Sequence, residues 1–281
     1  MMIFKTIKEM QDYSLIKKRE NKKIGLVPTM GYLHEGHLSL IDIARQKADC
    51  VIVTIFVNPS QFGPGEDLDK YPRDFERDKE LCEKRGVDAI FAPSPEEMYF
   101  PDSSVWVIEE SLSKGLCGKS RPGHFRGVLT VVSKLFNAAL PDIAVFGQKD
   151  AQQAAIIKRM VRDLNFPIEI IIGPIVRESD GLAMSSRNKY LSPEERKNAL
   201  SISRAIFEAE SALKENNADD SANIIRRATE KISSSGGKVD YVELVDFETL
   251  QPVEKIAGPS LFAIAAFFDK TRLIDNIVLE P

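Results

Sequence analysis

The chain has 281 residues, 43% of them hydrophobic and 28% charged, enough apolar material for a substantial core and too much for a disordered chain. Against 42 Asp and Glu stand 38 Lys and Arg, a formal charge of -4, so the basic excess of a general nucleic-acid binder is absent and any anion site must be local. The three cysteines, Cys50, Cys82 and Cys117, are odd in number, far apart and without a CxxC pair; they suggest neither a disulfide framework nor a zinc site and fit a reducing cytoplasm.

Residues 1–10 carry charges throughout and lack the apolar run of a secretory signal. Short β-branched runs follow at 24–27, 50–57, 89–92, 143–146 and 168–172, alternating with helix-period segments, the pattern of βαβ units around a parallel sheet. The run 50–57 is almost continuously apolar, as a strand covered on both faces is, and is expected near the sheet centre. Leu40, Ile41, Ala44 and Ala48 share one helical face, and Ala154, Ile157, Val161 and Leu164 another, so both segments read as crossover helices.

At Ser192 the texture changes. Ser192-Pro193-Glu194-Glu195 supplies an N-cap, a proline at the first helical position and a glutamate at the third, opening a helix with Ala199, Ile202, Ile206, Ala209 and Leu213 on one stripe. A second helix around Ile224, Ala228 and Ile232 precedes strands expected at 239–245, 261–268 and 273–279, with a turn at Asp269-Lys270. The predicted fold is α/β: a Rossmann-like parallel sheet with helices on both faces over residues 1–176, then a smaller C-terminal α+β lid domain over 177–281. The most apolar window, 261–268, is far shorter than the roughly 20 residues a membrane span needs.

In open parallel sheets, ligands bind beyond the carboxyl ends of the strands. Three expected strand ends bear polar, Gly-containing segments: Pro28-Thr29-Met30-Gly31-Tyr32-Leu33-His34-Glu35-Gly36-His37, then Asn58-Pro59-Ser60-Gln61, then Gly147-Gln148-Lys149-Asp150-Ala151-Gln152-Gln153. Two of the three histidines, His34 and His37, sit three apart at a helix start, where both imidazoles face one point and Gly36 lets a phosphate approach the backbone N–H groups. A metal pair is the competing reading, but there is no HExxH and His124 lies in a basic loop with Lys119, Arg121 and Arg126. Lys149 is placed to meet phosphate charge, and Asp150 with Gln153 fits a capping box as well as it fits a site. Gln61 and Gln153 are amides for a polar substrate. Gly181-Leu182-Ala183-Met184-Ser185-Ser186-Arg187 reads as a small-residue loop ending in a cation, either a phosphate clamp or a hinge.

On these pieces, together with Phe146-Gly147-Gln148-Lys149-Asp150 and Asn188 after Arg187, the chain resembles the pantoate–β-alanine ligase family of HIGH-motif nucleotidyltransferases. His34-Glu35-Gly36-His37 stands where HIGH stands, and Met184-Ser185-Ser186-Arg187 where KMSKS does. The resemblance implies a two-step reaction: pantoate and ATP give pantoyl adenylate and pyrophosphate, and β-alanine then gives pantothenate and AMP. It implies ATP contacts at Met30, Gly31, Tyr32, Leu33, His34, Glu35, Gly36, His37, Gly147, Gln148, Lys149, Asp150, Val176, Met184, Ser185, Ser186 and Arg187, with Gln61 and Gln153 holding pantoate. His37, His34, Lys149 and Arg187 form the expected catalytic set. Mg2+ is expected with ATP, its ligands unassigned; the acidic run Glu66, Asp67, Asp69, Asp74, Glu76 and Asp78 fits a metal-holding cluster or a solvated face. By resemblance the enzyme is a cytoplasmic homodimer with small-molecule substrates and neither nucleic-acid nor membrane partners. A nucleotidyltransferase acting on a phosphorylated acceptor and a non-catalytic nucleotide-binding module are the alternatives.

Overall fold

The computed structural model describes residues 1–214 and 221–281. Two compact units emerge: one comprises Met1–Glu110, Arg121–Gln148 and Gln153–Pro174, the other Ser111–Ser120, Lys149–Gln152 and Ile175–Pro281.

The first unit is built on six parallel strands, β1 (Met2–Phe4), β2 (Ile24–Thr29), β3 (Cys50–Ile55), β4 (Ala89–Phe91), β5 (Ile143–Gly147) and β6 (Glu169–Gly173), ordered β1-β4-β3-β2-β5-β6. The apolar run at 50–57 becomes the interior strand β3, as its composition requires. Side chains alternate across a strand, so Val27, Val51, Val53, Ile90 and Val145 line one face, packed against Leu38, Ile41 and Ala44 of α2 (Glu35–Lys47), after α1 (Ile7–Arg19) in the chain. Residues of the other parity, Ile24, Leu26, Ile52 and Phe91, are buried as well, so the sheet is covered on both sides. Next come α3 (Phe75–Lys84), α4 (Pro95–Met98), α5 (Leu116–Ser120), α6 (His124–Ala139) and α7 (Ala151–Asp163). The buried face of α7 is Ala154, Ile156, Ile157 and Met160, while the expected face member Leu164 lies past the helix end, 53% exposed.

The second unit pairs α8 (Pro193–Lys214) and α9 (Ser221–Ser234) with an antiparallel sheet of β7 (Lys238–Asp246), β8 (Ser260–Phe268) and β9 (Thr271–Leu279). The box anticipated at Ser192 forms: the Glu195 N–H donates to Ser192 Oγ at 3.2 Å, and the Ser192 N–H to Glu195 Oε2 at 2.6 Å. The α8 stripe packs on Leu244, Phe262, Ile264, Ala266 and Phe268. Among the described residues no helix is long and apolar enough to cross a membrane.

One close approach positions the site. A Cβ added at Gly127 on α6 would lie 2.3 Å from the Ser60 carbonyl oxygen and 2.6 Å from the Gln61 Cα, both backbone atoms that cannot rotate away. Gly127→Ala should therefore push the turn carrying Gln61 off α6 and lower the unfolding free energy by about 1–3 kcal/mol; an unchanged urea midpoint would show that the two segments separate freely.

Candidate active site

The carboxyl end of β2 runs into a turn in which Gly31 and Tyr32 both take left-handed backbone angles, φ 81° and 51°. A tyrosine there is strained unless held. What holds it is Asp78 on α3, whose two oxygens accept the N–H groups of Tyr32 and Leu33 at 2.7 Å each. Asp78 is 1% exposed; burial pushes its pKa above the usual carboxylate value, against the two N–H donors and Arg77, which pull it down. Arg77 donates to the Leu33 carbonyl at 2.9 Å and lies over the Tyr32 ring. Leu33 itself is fully buried, so its side chain belongs to the core and only its main chain faces the turn.

The two histidines then cap α2 reciprocally. The Gly36 N–H donates to His34 Nδ1 at 3.2 Å and the His34 N–H to His37 Nδ1 at 3.3 Å, with ring centroids 4.0 Å apart. This corrects the expectation that the Gly36 N–H is open to a phosphate: the imidazoles use these donors. A nitrogen that accepts from N–H carries no proton, so in each neutral ring the proton resides on Nε2. The two Nδ1 atoms are thereby committed to the helix cap, and the rings lie side by side. Glu35, by contrast, pairs with Arg85, the residue closing α3, at 3.0 Å.

Gln61 ends a 3-10 turn, Pro59–Gln61, capped by Asn58. The Gln61 amide donates to Met30 Sδ at 3.2 Å and accepts from Asn58 Nδ2 at 3.0 Å, tying it to the turn before His34. Its carbonyl accepts from His124 Nδ1 at 2.9 Å, while Arg121 donates to His124 Nε2 at 3.2 Å. Arg121 and His124 of the basic stretch thus pack on the turn carrying Gln61, with Arg121 also pairing Glu66 at 2.5 Å. Within the first unit, then, Met30, His34, His37 and Gln61 belong to one linked set, and Gly147, Gln148 and Gln153 fall in the same unit.

Lys149, Asp150, Val176, Met184, Ser185, Ser186 and Arg187 fall in the second unit. Lys149 is half-buried, 3.7 Å from the Asp150 carboxylate. The segment from Val176 folds back on itself, with the Met184 N–H on the Val176 carbonyl at 3.0 Å and Gly181 at φ 94° in the bend. Ser185 caps the 3-10 turn Ser186–Tyr190 by accepting the Arg187 N–H. Asn188 donates to Glu178 and to the Ala183 carbonyl, and Arg196 clamps Glu178 and Asp180 at 2.7 Å each.

The acidic run does not assemble a metal cage. Asp74 caps α3, Glu66 is paired and Asp78 holds the turn; among the described residues no three His, Cys, Asp or Glu side chains gather as metal ligands. Sequence reasoning missed Asp78, Asn58 and Arg121 as site-builders, since each acts on a partner that no local pattern reveals.

A parallel sheet with capped polar turns at its strand ends defines an α/β protein of the ligand-at-the-carboxyl-edge class. A family model described as pantoate-beta-alanine ligase matches residues 2–278, and the chain belongs to that family. It is 57% identical to the pantothenate synthetase of Moorella thermoacetica over 282 residues, covering 100% of this chain and 99% of that one. With the pantothenate synthetase of Thermotoga neapolitana it shares 58% identity over 280 residues, 99% of this chain and 100% of the relative. The crystal structure of pantothenate synthetase from Thermus thermophilus superposes with a TM-score of 0.94 at 42% identity, over 100% of both chains. That of the Francisella tularensis pantoate-beta-alanine ligase, complexed with beta-gamma ATP and β-alanine, gives 0.82 at 35% identity over 99% and 97%.

Asp78→Asn keeps the shape but turns an amide NH2 toward one of two N–H donors. It should lower the unfolding free energy by about 1–3 kcal/mol, measured by urea denaturation; a wild-type midpoint would mean the left-handed turn stands without it.

Proposed function

We propose that this chain ligates pantoate to β-alanine with ATP, through a pantoyl adenylate. The observation that carries the reading is the reciprocal His34–His37 cap, which sets two imidazoles together at the carboxyl end of a parallel sheet. Full-length membership in the pantoate-beta-alanine ligase family, and a relative complexed with beta-gamma ATP and β-alanine, support it.

In the first step a pantoate carboxylate oxygen attacks the α-phosphorus and pyrophosphate leaves. An aliphatic acid of pKa about 4 is already ionised at neutral pH, so this step asks for alignment and charge stabilisation rather than a base. His34 and His37 donate to phosphate oxygens, Lys149 and Arg187 add positive charge, and Met30, Gly31, Tyr32, Gly147, Gln148, Val176, Ser185 and Ser186 provide the surrounding nucleotide contacts. Gln61, held by Asn58 and Met30, and Gln153 on α7 bind pantoate. Two unit charges 4 Å apart interact by about 4 kcal/mol at an effective dielectric of 20, so even one such cation acts appreciably on the barrier. In the second step the amine of β-alanine attacks the acyl carbon, AMP leaves and the amine loses its proton.

Mg2+ commonly binds through one or two carboxylates plus substrate phosphates. Asp150, beside Lys149, suits that role, and the ion would neutralise phosphate charge on the nucleotide.

We assign the chain to a cytoplasmic homodimer. Free thiols at Cys50, Cys82 and Cys117 suit a reducing compartment. Phe100, Val105 and Ile108, 65%, 84% and 61% exposed within residues 100–108 of the first unit, suit a surface covered by a second copy. Light scattering on protein from the soluble lysate fraction should return twice the 31.4 kDa chain mass; a monomer at micromolar concentration removes the dimer.

Labelled pyrophosphate should exchange into ATP with pantoate alone, and His37→Ala and Lys149→Ala should each slow that exchange at least about tenfold. Exchange that needs a phosphorylated acceptor instead of pantoate would favour a simple nucleotidyltransferase, and undiminished rates in both variants would remove the two residues from the reaction.

A further inference from the structure

Strand β9 carries two adjacent polar residues in an otherwise largely apolar stretch, Asp275 and Asn276, 3% and 4% exposed. They lie on opposite faces of the sheet. Asp275 is the register partner of Ile264, on the face packed against α8 and α9, and Asn276 that of Ala263, on the other face. A carboxylate on the helix-covered face is costly unless paired.

Each side chain is committed to a different segment of the site. Asp275 accepts both terminal nitrogens of Arg177, at 2.6 and 3.0 Å, in the two-pronged geometry that fixes direction as well as distance. Arg177 in turn donates to the Gly181 carbonyl at 3.2 Å and bridges Ala183 through the backbone, so the pair anchors the base of the bend that presents Met184 to Arg187. Asn276 donates through Nδ2 to the main-chain carbonyl of Lys149 at 2.9 Å. All these groups belong to the second unit.

We infer that Asp275 and Asn276 are positioning residues: one two-residue step of β9 fixes, on its two faces, the segment that carries Arg187 and the main chain that carries Lys149. This rests on the reading above that Lys149 and Arg187 meet phosphate. Pinning Lys149 by its carbonyl leaves its side chain unmodified while setting where the side chain starts. Because the two residues are consecutive, the separation of the two anchor points is set by the strand itself. A loop-to-loop contact would set no such separation, and a displacement of a catalytic cation by even about 1 Å weakens catalysis out of proportion to the stability lost.

The test is a pair of double-mutant cycles on pantoate-dependent pyrophosphate exchange, with circular dichroism confirming the fold of each variant. Asn276→Asp keeps the shape and replaces the donor with an oxygen that repels the Lys149 carbonyl. It should slow exchange about tenfold alone and less than about twofold in a Lys149→Ala background, while retaining its full effect in an Arg187→Ala background. Asp275→Asn should lose its effect beside Arg187→Ala and keep most of it beside Lys149→Ala, since the Lys149 cation also acts on the Asp275 carboxylate. Asn276→Ala runs through the same cycle, so a variant that fails to fold leaves the other to decide. Equal slowing in matching and crossed backgrounds, or no slowing in any, overturns the positioning role, since a merely structural residue would act additively. A normal rate for Lys149→Ala and Arg187→Ala alone would remove those two residues from the reaction and the inference with them; slow parents with additive β9 variants sink the inference and leave the proposed function standing.

Discussion

Two consecutive main-chain N–H groups, those of Tyr32 and Leu33, end on the two oxygens of one buried carboxylate, Asp78. The left-handed turn at Gly31 and Tyr32 persists because that carboxylate collects both donors, and the turn decides where α2 begins. Where α2 begins decides where His34 and His37 stack, and the sulfur of Met30 in the same turn is what the Gln61 amide donates to. A charge buried for this purpose is costly in itself; the two donors and the nearby Arg77 offset part of its desolvation, as charge-assisted hydrogen bonds in a low dielectric do, and burial still prevails.

The second unit solves the same problem with a strand. Its sheet presents an apolar face to α8 and α9 and a more polar face that receives two excursions of the chain, Ser111–Ser120 and Lys149–Gln152. Gln152 accepts the Cys117 N–H and donates to the Leu112 and Gly115 carbonyls, and Arg272 binds Asp240 at 2.7 Å with Tyr241 beneath its guanidinium. Burial pushes the Tyr241 hydroxyl well above its ordinary pKa, so it remains a neutral hydrogen-bonding group beside Cys117. The 3-10 turn that bears Lys149 and the start of α7 that bears Gln152 therefore rest on a polar scaffold of their own.

Much of the architecture was legible because it is written in local pattern. The apolar runs at 24–27, 50–57, 89–92, 143–146 and 168–172 each became a strand within a few residues of the expected bounds, and the Ser192 box opened α8 as its spacing required. Elements without such a pattern escape a sequence reading, the short helices α4 and α5 included. The edge strand β1 has three residues, too few for a periodic signal, and α1 buries only Met10 and Ser14, so its stripe is faint. The signal that could have found α1 is its own Thr6–Glu9 capping box, which the structure forms. Similarly, α3 was read as an acidic run because its buried members, Asp78 and Cys82, do not look like a core face.

The sequence by itself determined the α/β order, the three polar strand ends and the pairing of His34 with His37, since all of these arise between residues a few positions apart. Only the tertiary structure decided what those residues do with their hydrogen bonds. The partner of the Tyr32 N–H lies 46 positions away, the basic loop reaches Glu66 across 55, and the carbonyl of Lys149 meets Asn276 across 127. No local pattern encodes such contacts, because a buried carboxylate or amide is selected by the unsatisfied donor or acceptor it meets in space, and that group is defined only once the strands between them have paired.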